Sequence, residues 1–234
     1  MMCRSNSTPR GNHLQLLCQK YSLPSPLSLL QSGSPWSKEA WNSLIKTRVT
    51  VWYVKELRRL SLSNSKMQYL NVQLTGLSGA PHPCLHNIIT TQDVKRLQLH
   101  LKFLSGDFLT NERLNLDQPN ISPACKLCNA PVESSEHVLV VCRATQEVRS
   151  RLVPDLMNTV AQVQPTCELL QCQPSPSILT QFLLDCTSIN LPDSFRVPAH
   201  NPDISAIYTV SRNWTYAISS ERSRQLKLLK KSLN

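Results

Sequence analysis

Between residues 41 and 60, Trp41, Leu44, Ile45, Val49, Trp52, Tyr53, Leu57 and Leu60 recur at spacings of three and four, while Lys46, Arg48, Lys55, Arg58 and Arg59 fall largely on the other side. Apolar positions at that period line one face of an α-helix. The pattern predicts the best-formed helix of the N-terminal half here, with a cationic outer face. A second helix is predicted from Thr90 or Thr91, with Asp93 in its first turn, Val94, Leu97, Leu101 and Leu104 on one stripe, and Gly106 as its stop. Lys95, Arg96 and Lys102 make its outside basic as well. Further on, Val148 and Leu152 carry a helix as far as Pro154, whose ring and missing N–H should end it. Ser175-Pro176 supplies a cap and a first-turn proline for a helix through Ile178, Leu179, Phe182 and Leu183. Asn201-Pro202 opens the last helix, with Ile204, Ile207, Tyr208, Trp214 and Ile218 facing inward.

The stretches between carry no period. Residues 1–36 are polar and proline-broken and are expected to be largely disordered, above all before Leu14; residues 61–90 read as loop, and 161–176 as a surface connection. The chain therefore divides into a proline-rich N-terminus (1–36), a basic helix and loop (37–90), a helix followed by a cysteine-rich module (91–160), and C-terminal helices with a basic tail (161–234). The fold class predicted is mainly α, built of short helices around one small metal-stapled module.

Composition narrows the chemistry. With 234 residues, 41% of them hydrophobic and 17% charged, the chain can bury a core. Sixteen Pro against 5 Gly, and no Walker or dinucleotide motif, argue against a glycine-rich phosphate-binding fold. No run approaches the roughly 20 apolar residues of a membrane helix, and polar residues and Pro9 stand where a signal peptide would be apolar. No membrane partner is expected, and the localisation predicted is intracellular, in nucleus or cytoplasm. Nine Cys in such a chain read as metal ligands or reduced thiols.

Charge is unevenly spread. Residues 1–100 carry 12 Lys+Arg against 3 Asp+Glu, residues 101–210 carry 7 against 11, and residues 211–234 carry 6 against 1. Basic ends of this kind can hold a polyanion by releasing its condensed counterions, although solvated helices are often basic too.

The most informative stretch is Cys125-Lys-Leu-Cys128, followed by Glu133, Ser134, Ser135, Glu136, His137, four apolar residues and Cys142: Cys-x2-Cys-x8-His-x4-Cys. Two thiolates in one tight turn grip one face of a tetrahedral ion, and the second pair closes the shell. One structural Zn²⁺ is the expected cofactor. Four protein ligands leave no open position for Lewis-acid catalysis. In an ideal α-helix five residues advance about 500°, so His137 and Cys142 would sit about 140° apart. Cys142 must then stand at a distortion or a helix end, after a short helix capped by Ser134 or Ser135. His82, Cys84 and His86 are a weaker candidate set, because Pro81 and Pro83 make a chelating turn awkward. Cys3, Cys18, Cys167, Cys172 and Cys186 lack a compact partner set and read as plain thiols.

The order helix, loop, Cys-x2-Cys, Glu136-His137, apolar run, Cys142 and then Val148-Arg149 resembles the zinc-binding region at the C-terminal end of non-LTR retrotransposon reverse transcriptases. The flanks agree: Tyr21 to Pro26, the Trp41–Leu60 stripe, Tyr69-Leu70 and Pro81-His82-Pro83 look like the linker after the polymerase, while Phe182 to Cys186 and Trp214 to Arg224 look like terminal helices. The resemblance implies a tail that grips RNA or DNA beside a polymerase. The departures are equally plain. A two-metal polymerase needs paired aspartates, and the chain has no Asp-Asp and no Tyr-x-Asp-Asp. No acidic group stands with a histidine as an endonuclease site requires.

These readings predict a non-enzymatic, zinc-stabilised nucleic-acid-binding remnant of such a protein. RNA or DNA would be held largely without regard to sequence by Lys55, Arg58, Arg59, Lys95, Arg96, Lys126, Arg222, Arg224, Lys227, Lys230 and Lys231. The alternative is a structural or protein-interaction module, docking on a polymerase in trans, in which the ion only folds a loop.

Overall fold

Small polar residues set the helix starts in this computed structural model, which describes residues 9–31, 37–63, 69–70 and 81–232. The Thr90 hydroxyl accepts from the amide of Asp93, and the Asp93 carboxylate accepts in return from the amide of Thr90, closing a capping box. Ser175 accepts from the amide of Ile178 with Pro176 in the first turn behind it. Asn201 accepts from the amide of Asp203 just before the last helix. In chain order the helices are α1 (Pro9–Lys20), α2 (Pro26–Gln31), α3 (Lys38–Ser63), α4 (Thr91–Leu104), α5 (Asn111–Asp117), α6 (Gln146–Val163), α7 (Pro176–Leu184) and α8 (Ile204–Ser232). Single 3₁₀ turns lie at Pro83–Leu85, Arg143–Thr145 and Glu168–Leu170, and one π-helical turn spans His137–Val141. The fold is mainly α, and no strand occurs among the described residues. None of the described helices is long and apolar enough to cross a membrane.

The 29-residue α8 is the spine. Its buried face, Ile204, Ile207, Tyr208, Trp214 and Ile218, is the inward set expected from the period. Against it lie Phe103 and Leu104 of α4, Leu139 of the π turn, Leu156 and Val160 of α6, and Phe182, Leu183 and Leu184 of α7. The described residues of α1, α2 and α3 contribute nothing to that core. On α3 Trp41, Leu44, Ile45, Val49 and Trp52 of the predicted stripe are half-buried and Tyr53 is 52% exposed. Trp52 packs edge-on to Tyr21 at 5.4 Å, with the Lys20 ammonium 4.2 Å from its ring centre.

Three local readings are corrected. Pro154 does not end its helix: α6 runs on to Val163. An interior proline costs about 3 kcal/mol, and the burial of Leu156, Val160 and Val163 beyond it outweighs that. Residues 161–176 are not only a surface connection, because Cys167 and Leu169 are both 1% exposed in the core. Residues 9–31 hold two short helices where no regular element was expected, with Pro9 and Pro26 each in the first position, where proline's missing N–H costs nothing.

Beneath α8 the core contains a polar knot. Asp185, fully buried, accepts from the Tyr208 hydroxyl at 2.7 Å, from the Thr187 hydroxyl at 2.6 Å and from the Thr187 amide at 3.0 Å, with His82 Nε2 at 3.4 Å. Burial pushes its carboxyl upward, yet the bonds and charge of His82 and the bonds from Thr187 and Tyr208 prevail and hold it below the ordinary carboxylate range. Arg212, 2% exposed, donates to the carbonyls of Cys84 and His86 and so pins the Pro83–Leu85 turn to α8. Asp185→Asn, which keeps the shape but removes the charge and presents a donor to other donors, should lower unfolding stability by about 2 kcal/mol in urea titrations.

Candidate metal centre

The Cys125–Cys128 loop is shaped by its backbone. The Cys125 amide donates to the carbonyl of Ala130 and the Asn129 amide to the carbonyl of Cys125, both at 2.9 Å. The loop reverses at Asn129, with φ of 59°, a left-handed position that asparagine tolerates better than most residues. The backbone amides of Leu127 and Cys128 act to lower the Cys125 thiol, and those of Ala130 and Arg143 to lower the Cys128 thiol. Such donors favour thiolates.

His137 and Cys142 are brought to the same side by the π turn. Ser134 accepts from the His137 amide as the expected cap. The Cys142 amide then donates to the His137 carbonyl at 2.7 Å, a bond across five residues. The wider turn reduces the roughly 140° offset of an α-helix and brings the imidazole near the sulfur. This is the distortion that the His-x4-Cys spacing demands.

The four ligand atoms, three Sγ and one imidazole nitrogen, lie within 4.8 Å of one another. Zn–S bonds of about 2.3 Å and Zn–N bonds of about 2.05 Å in a tetrahedron put sulfurs about 3.8 Å apart and sulfur and nitrogen about 3.6 Å apart. The Cys125 and Cys142 sulfurs are 3.9 Å apart, and Cys128 Sγ is 3.3 Å from His137 Nε2. The donor set fits a tetrahedral cation of this class. Burial raises Cys125 to about 12 and raises Cys142. At Cys128 burial also works upward, but the Ala130 amide and the other two thiols prevail and lower it. Three thiolates in one place would need a divalent ion to supply the missing positive charge. Burial also lowers His137, assisted by Arg149 and opposed by Glu133, which favours the neutral ring that can ligate.

A second layer ties this centre to α8. Glu133, 1% exposed, takes a bidentate pair from Arg222 at 3.0 and 2.7 Å and the Asn111 amide at 2.9 Å, while its other oxygen lies 3.6 Å from Cys125 Sγ. Trp214 donates through its indole to the Leu139 carbonyl at 3.1 Å, and Gln225 to the Ala144 carbonyl at 2.7 Å. A divalent ion with three thiolates carries one net negative charge, Glu133 adds another, and the guanidinium groups of Arg222 and Arg149 offset the two. Glu133 and Arg222 are separated by 89 positions, so the sequence marks an acid beside the ligands but not which cation answers it.

Arg222, expected among the nucleic-acid contacts, is engaged in this structure with a buried carboxylate. The other candidate cations fall into two groups. Arg59, Arg96 and Arg224 pair with Glu56, Asp93 and Glu221 one helical turn away. The guanidinium groups of Arg59 and Arg224 are exposed and that of Arg96 is half-buried; exposed pairs are weak and can open for a phosphate. Lys55, Lys95, Lys126, Lys227, Lys230 and Lys231 are exposed. The side chain of Arg58 lies outside the described residues. His82 and Cys84 join the polar knot and the core, and His86 is exposed, so that weaker set does not converge. Cys18, Cys167 and Cys186 are buried single thiols, Cys172 is exposed, and Cys3 lies outside the described residues.

No known protein family, curated protein or solved structure matches the chain. The resemblance to retrotransposon reverse transcriptases is thus one of sequence pattern alone, around Cys125, Cys128, His137 and Cys142.

Proposed function

We propose that the chain is a non-catalytic nucleic-acid-binding module, resembling the tail of a retrotransposon reverse transcriptase, in which one structural Zn²⁺ fixes the loop against α8. The observation that carries the reading is the junction of the ligand cluster with α8, a helix that ends in the exposed Lys227, Lys230 and Lys231. The ion orders Glu133 and the π turn. Arg222, Trp214 and Gln225 transmit that order to the helix, which presents its cations to phosphates. RNA or DNA would be bound largely without sequence preference, because phosphate contacts carry no base information.

Binding of a labelled 20-nucleotide single strand should weaken about 18-fold between 50 and 200 mM salt if three lysines each neutralise a phosphate. Anisotropy titrations measure this; binding that ignores salt, or none, rejects the proposal. A protein-docking module is the second reading, favoured by a cleft of about 1090 Å³ walled by Val141, Val153, Met157, Leu170 and Leu179 beside the π turn. Salt-insensitive capture of a polymerase domain without nucleic acid would establish it.

A further inference from the structure

A second groove, of about 740 Å³, runs between α4, the loop after it and the last turns of α8. Its floor is apolar, made by Leu99 of α4, Phe108 and Leu228. Its rim carries Lys227, Lys230 and Lys231, exposed and without a carboxylate partner among the described residues. No lining residue is acidic. Ser219 lines the inner wall; it is 6% exposed, and its hydroxyl has no hydrogen-bond partner. A buried hydroxyl without a partner is costly in a folded protein unless a ligand supplies one.

We propose that this groove seats single-stranded RNA, a reading that rests on the nucleic-acid function above and gives it a place. Charge complementarity chooses a polyanion: three lysines without a carboxylate partner among the described residues stand on one rim, Arg224 lines the same groove, and none of the lining residues is acidic. The floor chooses a single strand, because a base freed from stacking can cover Leu99, Phe108 and Leu228, whereas bases in a duplex have their faces covered by neighbours. Phe108 is not a stacking platform. One face lies on Phe103 at 3.9 Å and Arg222 stands over the ring at 5.6 Å, so a base meets its edge. The wall chooses ribose: a 2′-hydroxyl donates and accepts, and so can serve the Ser219 hydroxyl.

The test uses the full zinc-loaded chain with fluorescein-labelled 12-mers of oligouridylate and oligothymidylate, and a 12-base-pair RNA duplex. Lys227→Glu with Lys230→Glu should weaken oligouridylate binding at least about 10-fold and lower the salt slope by about 1.4. Lys38→Glu with Arg151→Glu makes the same charge change outside the groove and should move affinity less than about twofold. Ser219→Ala should erase a preference for oligouridylate over oligothymidylate while leaving the salt slope intact. Equal losses in the two double variants overturn the groove as the seat but leave the nucleic-acid function standing. Equal affinity of wild type for the two single strands overturns the choice of RNA, and tighter binding of the duplex overturns the choice of a single strand. No binding by wild type overturns this inference and the proposed function together.

Discussion

Cys128→Ser is expected to abolish binding of the proposed zinc ion, dropping metal content from one ion per chain to well below half on elemental analysis after desalting. A serine hydroxyl does not ionise near neutral pH and cannot replace a thiolate, and the remaining three ligands leave an open shell. Structural zinc contributes about 10 to 16 kcal/mol of apparent binding free energy in small zinc modules, and that energy is folding energy for the loop it closes. Here the loss should be local. The hydrophobic core of α4, α6, α7 and α8 forms without the ligands, apart from Val138 and Leu139 of the π turn. Amide exchange should therefore quicken over residues 120–145 by several orders of magnitude, while Val160, Leu183 and Ile207 keep their protection. Cys172→Ser, at an exposed thiol outside the cluster, should retain the ion and the exchange pattern. Stoichiometric zinc in the Cys128 variant would sink the ligand assignment.

How much of this centre was legible beforehand depended on the distance over which each feature is decided. The ligands lie within 18 residues of one another, and their spacing alone demanded a departure from α geometry before Cys142; the π turn meets that demand through a five-residue bond from Cys142 to His137. The starts of α4, α7 and α8 were legible for the same reason, since a cap and its partner stand two or three residues apart. Pro154 was misread because the local cost is visible in the sequence, while the burial of Leu156 and Val160 that offsets it comes from α8. The pairing of Arg222 was not legible for the same reason. On the sequence it belongs to a run of cations at a helix end; only the fold brings it to Glu133. A cationic residue among other cations carries no local mark of the one that is buried. The α3 stripe shows the converse: a clean period established the helix, but among the described residues it is not joined to the main core.

The second large effect is expected at the pair of Arg222 with Glu133. Arg222→Leu should destabilise the chain by about 3 to 5 kcal/mol, because it leaves the Glu133 carboxylate buried and unanswered. Glu133 is 1% exposed and the Arg222 side chain 13% exposed, so neither charge regains much solvent when the other is lost. Glu133→Gln alone should cost a comparable amount, and it also lowers the negative charge beside Cys125. Combining the two changes should cost far less than their sum, since the double variant has no orphaned charge, and the cycle isolates a coupling of about 2 kcal/mol or more. Urea titrations of the four proteins with zinc present give these values. A phosphate-contacting arginine behaves differently: its loss lowers nucleic-acid affinity and the salt slope and leaves unfolding unchanged. Additive single effects within about 0.5 kcal/mol, or an unaltered unfolding midpoint in Arg222→Leu, would show that the pair does not hold the metal loop to α8. The loop's order would then rest on the ion alone, and the path by which zinc shapes the cationic end of the helix would be lost.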